Sequence, residues 1–172
     1  MNRSSGAFRG SQDAAGRACG VAADALEKNK TSTGKMPSHS TNYFETLILI
    51  APDCPVGEGT VPPKPGTVAA LQYEKLTAAP YSRTSDDLLF EVFAERSGIP
   101  EAGLAEARAA FFSKGQPCLR SSPLVKTYGW GVHHDTAGRI AVYGAETAQY
   151  RDLAEREGVT KVAGMRSQRR PG

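Results

Sequence analysis

Long apolar runs are missing from this chain: no window approaches the roughly 18 uninterrupted apolar residues that a membrane-spanning helix needs. The first twenty-five residues carry Arg3, Arg9, Asp13 and Arg17 without an apolar core of signal-peptide length, so a cytoplasmic protein with no membrane contact is expected. Cysteine is scarce. Cys19, Cys54 and Cys118 are odd in number and far apart, and no CxxC or Cys/His zinc spacing occurs. That pattern argues against a disulfide framework and supplies no metal or cofactor site. No internal repeat is present, which excludes solenoids. What remains is 172 residues with 40% apolar and 23% charged content, the profile of one globular domain.

The net charge of +3 is unevenly placed. Residues 1–35 hold six Lys/Arg against three Asp/Glu and supply the whole excess, and the remainder holds fifteen of each sign. Lys161, Arg166, Arg169 and Arg170 face no acid within residues 161–172, which leaves residues 36–160 at −4. An acidic body argues against a nucleic-acid partner, because phosphate binding needs clustered cations on the folded surface.

Residues 1–38 are rich in Gly, Ala, Ser, Thr, Lys and Arg, with Phe8 and Leu26 as the only large apolar side chains besides methionine. Such a segment buries too little to offset its ordering entropy, so a disordered N-terminal extension is expected. A single domain follows over residues 39–167, and a basic flexible tail over 168–172. Order begins with a strand at Tyr43–Ala51, stopped by Pro52. Five prolines and three glycines make residues 52–66 a loop. Thr67 caps a helix over Val68–Thr77. Thr84 with Asp87 forms a capping-box variant for a helix that buries Leu88, Leu89, Val92 and Phe93 and stops at Gly98. Pro100 opens a helix at its N1 position, carrying Leu104, Phe111 and Phe112 and ending near Gly115. Strands at Thr127–His133 and Arg139–Tyr143 enclose a loop, Ala145–Glu157 is a helix closed by Gly158, and Thr160–Met165 is a last strand. This order predicts an α+β fold: a mostly antiparallel sheet of about four strands, with about four helices packed on one face. The ending of hairpin, helix and strand loosely resembles small frataxin-like or YdhG-like bacterial domains.

The strings HSTNYFETLI at 39–48, FEVFAER at 90–96, FFSKGQPCLRSSPL at 111–124, YGWGVH at 128–133 and MRS at 165–167 resemble a bacterial family catalogued only as a domain of unknown function. The resemblance spans residues 36–167 and implies no activity, substrate or catalytic residue. Family members begin close to the HSTNY string, which makes Met36 a candidate start and residues 1–35 an extension.

KTYGWGVHH, residues 126–134, contains the only tryptophan and two of the three histidines. Strand alternation puts Tyr128, Trp130, Val132 and His134 on one face and Gly129, Gly131 and His133 on the other. Two glycines on one face clear a patch, and something must approach the backbone there. Either a helix or loop packs on it, or a planar or anionic ligand lies on it with His133 at the edge. Arg120 and Ser121 in the preceding CLRSS loop form a candidate anion clamp, since a guanidinium fork binds carboxylate or phosphate bidentately. Arg120, Ser121, Tyr128, Trp130 and His133, with His39 and Asn42 at the start of the domain, are therefore the candidate ligand-binding residues. Arg120 paired to an acid, serines capping loop backbone and Asn42 in a turn are the structural alternatives. Cys118 with His133 is the candidate catalytic pair, as a thiol nucleophile or in general acid/base work. Cys54 would join Cys118 as a redox pair only if the fold placed them side by side. Adjacent His133 and His134 point to opposite faces and are poor joint metal ligands. Three functions stay open: a small-molecule-binding domain, a Cys118 or His133 enzyme, and an interaction protein with a basic C-terminal tail.

Overall fold

The computed structural model describes residues 39–168. The expected disordered extension over residues 1–38, and all but the first residue of the expected basic tail, lie outside the described residues. Ser167 and Gln168 both donate their backbone N–H groups to the Asp53 carboxylate, at 2.7 and 3.1 Å.

Local capping chemistry fixes most element starts. In α1 (Val68–Ala78) the Thr67 hydroxyl accepts from the Ala70 N–H. In α2 (Ser85–Ser97) Thr84 and Asp87 exchange both bonds of a capping box, and Gly98 closes the helix at φ 63°. Pro100 precedes a 3-10 turn at Glu101–Gly103, and α3 (Leu104–Phe112) starts only after it. That helix stops short of Gly115 because Gln116 Nε2 donates to the Phe111 carbonyl, at 2.6 Å.

The segment after Gln116 departs from expectation. A 3-10 turn at Leu119–Ser121 leads into a short helix α4 (Pro123–Thr127), capped by Ser122. Tyr128 ends that helix and Gly129 turns the chain at φ 71°, so strand β2 runs Trp130–His134 instead of starting at Thr127. The remaining elements are β1 (Thr46–Leu49), β3 (Ile140–Gly144), α5 (Ala148–Glu155) and β4 (Thr160–Ala163). β1 is shorter than its apolar run because Glu45 sits at φ 43°, outside strand geometry.

The four strands form one mixed sheet in the order β3-β2-β1-β4. β2 pairs antiparallel with β1 and β3, with Ile48 opposite Val132 and Val132 opposite Val142, whereas β4 runs parallel to β1. β3 and β4 lie at opposite edges, so the chain between them must cross the sheet. α5 makes that crossing and covers the second face. Helices therefore occupy both faces, correcting the expectation of one.

On the first face Ile48, Val132 and Ile140 pack with Leu71, Leu76, Leu88, Leu119 and Leu124. Across the sheet Leu47 packs with Tyr150, Leu153 and Val159. A third cluster, Phe90, Ala94 and Phe112, joins α2 to α3. Phe93, expected inward, is 39% exposed on the rim of an apolar groove shared with Ile99 and Phe111. Among the described residues no helix is long and apolar enough to cross a membrane.

Candidate functional site

The glycines of β2 are explained by the chain itself. A Cβ on Gly131 would enter the ring of Tyr150, which α5 lays across the second face. A Cβ on Gly129 would overlap the Glu58 carbonyl, and Gly129 stands in the left-handed region besides. Of the two readings of this patch, the packed one is found: Tyr150 of α5 and the proline-rich loop fill it, in place of a ligand.

His133 lies two residues further along the same face, beyond the Tyr150 ring, and is 7% exposed. Its Nδ1 is 2.8 Å from the Tyr81 hydroxyl, and that hydroxyl is 3.0 Å from the Tyr143 hydroxyl. Tyr143 reaches this point from β3 on the same face, since it pairs with Gly131. Tyr81 comes from the turn between α1 and α2, at φ 55°. Such a φ is strained for a tyrosine. Its N–H donates to the Ile140 carbonyl at 2.9 Å, and the Ile140 N–H donates to the Arg83 carbonyl, so the turn is clamped along the β3 edge. The three side chains line a cleft of ≈ 160 Å³ with Gln149, Asp152, Leu153 and Arg156 of the α5 region.

Burial pushes the His133 imidazole below its ordinary range; Glu45 and Asp135 favour its charge and Arg156 opposes it. Burial and the bond to Tyr143 raise the Tyr81 phenol. Near neutral pH the cluster is therefore a neutral imidazole joined to a protonated phenol. The hydrogen bonds run either from Tyr143 through Tyr81 to Nδ1, or outward from an Nδ1–H. Nε2 is buried with no protein partner. The direction of the chain decides whether Nε2 donates or accepts.

A second cluster lies on the opposite face. The Tyr43 hydroxyl donates to Cys118 Sγ at 3.5 Å, and the Tyr43 ring meets the His134 ring edge-on at 5.3 Å. The bond to Cys118 and burial raise the Tyr43 phenol, while the Arg120 charge pulls it down. Arg120 donates from Nε to the Ala163 carbonyl at 2.9 Å, and Ser121 Oγ to the Cys118 carbonyl at 2.8 Å. Cys118, Arg120 and Ser121 are thus brought together with Tyr43. His133 is separated from them by the sheet, so Cys118 and His133 do not form the expected pair. Cys54 and Cys118 are both free thiols. No three His, Cys, Asp or Glu side chains converge as a metal site among the described residues.

Residues 38–170 match the model of a family described as Family of unknown function (DUF6157). The chain belongs to this family. Comparison with curated proteins and with solved structures finds no match for it. The family description supplies no activity, so the chemistry of the DUF6157 domain rests on its geometry.

The other expected site residues of the DUF6157 domain make contacts within the chain. Trp130 Nε1 donates to the Thr60 carbonyl at 2.9 Å, and its ring lies 5.1 Å from Tyr73. The Tyr128 carbonyl accepts from the Thr60 N–H at 2.8 Å. Trp130 and Tyr128 therefore hold the proline-rich loop down. Asn42 exchanges two bonds with Asp86 in the first turn of α2, and Ser40 and Thr41 donate to the same carboxylate. His39 is exposed and its N–H bonds the Phe112 carbonyl at 3.2 Å. Reading the sequence alone passes over Tyr81, Tyr143 and Arg156. Hairpin register would have put Tyr143 on the His133 face, but no local signal marks Tyr81 or Arg156.

Proposed function

We propose that the DUF6157 domain binds a small polar molecule in the cleft between the Tyr81 turn and α5, with His133, Tyr81 and Tyr143 as its hydrogen-bonding groups. This keeps His133 from the expected binding residues and moves the site away from Arg120, Ser121, Tyr128, Trp130, His39 and Asn42. The observation that carries it is the Tyr143–Tyr81–His133 chain ending at a buried imidazole nitrogen without a protein partner. Convergent hydrogen-bonding side chains along one cleft offer a polar ligand fixed partners. A strained residue supplying one of the three groups is consistent with a site held for function rather than stability.

A second reading, general-base catalysis by His133, is supported by the same imidazole: burial keeps it neutral, and a neutral imidazole can take a proton at pH 7. Binding is tested first. Thermal-shift screening of the purified protein against small polar metabolites should give a hit that raises the Tm, since a ligand at about 100 times its Kd stabilises by about 2.7 kcal/mol. Tyr81→Phe and His133→Ala should each reduce that shift. A hit whose shift is the same in both variants would put the binding site elsewhere.

A further inference from the structure

Resting on the cleft reading, we infer that the occupant is a small zwitterion of the amino-acid type, its carboxylate held by Arg156 and its ammonium by Asp152. Asp152 and Arg156 stand four residues apart at the end of α5, with the acid first, the spacing and order that favour an ion pair along a helix. The pair is not made. The ion pairs among the described residues join Lys75, Arg83 and Arg108 to Asp87, Glu91 and Glu95, far along the chain from α5. Arg156 is where the helix ends, at φ −59° and ψ 126°, with its N–H still bonding the Asp152 carbonyl. Both side chains line the cleft with opposite charges that do not neutralise each other.

The positive end belongs to the hydrogen-bonding cluster, because Arg156 lines the same cleft as Tyr81, His133 and Tyr143, and its charge lowers both the His133 and the Tyr81 pKa. A carboxylate bridging the guanidinium would sit beside the Tyr81 and Tyr143 hydroxyls, where charge-assisted bonds are strongest. Gln149, with a donor and an acceptor on one amide, can bond either end of such a molecule. Size agrees with this chemistry. The cleft is small, ≈ 160 Å³, and open to solvent on one side, which admits a molecule such as a small α-amino acid.

The test follows the His133 imidazole by NMR while glycine, alanine and serine are titrated into the full chain at pH 7.5, against acetate and methylammonium. The amino acids should shift the His133 signals saturably, and each singly charged analogue should bind about tenfold more weakly or worse, the loss expected for one missing charge-assisted contact. Arg156→Gln should weaken amino-acid binding by a similar factor, and Asp152→Asn should make alanine and acetate equivalent. Asp152 on α5 and Arg156 at its C-cap are both exposed, and far-UV circular dichroism checks that each variant is folded. If acetate or methylammonium binds as well as alanine, or if a different small molecule shifts His133 and the amino acids do not, the zwitterion class is overturned while the cleft stands. If no molecule of any class shifts His133, both fall.

Discussion

Replacing His134 by leucine should remove most of the protein's loss of stability in mild acid. His134 is 0% exposed, and neither ring nitrogen has a partner within hydrogen-bonding geometry. Burial, then the neighbouring His133, lower its pKa to about 4; Asp135 and the Tyr43 backbone oppose the shift without cancelling it. In the unfolded chain an imidazole titrates near 6.5. Above that pH both states are neutral and the contribution is fully present. As pH falls from about 6.5 towards 4 only the unfolded chain takes the proton, and stability drops by about 1.4 kcal/mol per pH unit. The accumulated loss is about 2 kcal/mol at pH 5 and about 3 kcal/mol below pH 4, a sizeable share of a typical domain's 5–15 kcal/mol. His133, lowered for the same first reason, adds in the same direction. Burial alone would raise the Asp87 carboxyl, but Thr84 and Arg108 outweigh it and the net shift is downward, so its contribution is lost only at pH values below this window. The assay is urea unfolding at pH 7.5, 6.0 and 5.0. The natural protein should lose about 2 kcal/mol or more across the series, and His134→Leu should lose about 2 kcal/mol less. Equal losses in both proteins, or a His134 imidazole that titrates near 6.5 by NMR, would refute the reasoning.

Gly129→Ala and Gly66→Ala separate backbone strain from collision, because both glycines stand near φ 72° while only Gly129 is crowded. Gly66→Ala should cost about 1 kcal/mol in urea unfolding, and Gly129→Ala at least about 3 kcal/mol, since Glu58 and its loop must move. Thr84→Ala should cost about 1 kcal/mol by the same measurement, through loss of the α2 capping box. Asp86→Ala removes the acceptor shared by Ser40, Thr41 and Asn42; it should cost about 2 kcal/mol and speed hydrogen exchange at the Thr41 amide.

Much of the scaffold was legible before any fold was known. The Thr67 and Thr84 caps, the Gly98 stop and the proline-rich loop are each settled by contacts within a few residues, and the structure has them where sequence rules put them. Errors fell where local patterns compete. Tyr128 and Gly129 fit a strand by composition, yet Ser122 and Pro123 start a helix that consumes the chain as far as Thr127. The glycines were correctly taken as points of close approach, but which group approaches depended on α5, whose side of the sheet follows from parallel pairing of β4 with β1.

The sequence by itself determined the capped starts of α1 and α2, the Gly98 stop and the family, because these depend on neighbours along the chain and on strings of residues. Only the tertiary structure decided the cleft. Tyr81 meets His133 across 52 residues and Tyr143 across 62, and Tyr150 reaches Gly131 only after a crossover of the whole sheet. Contacts at such separations are fixed by strand order and register, which no short stretch of residues encodes alone.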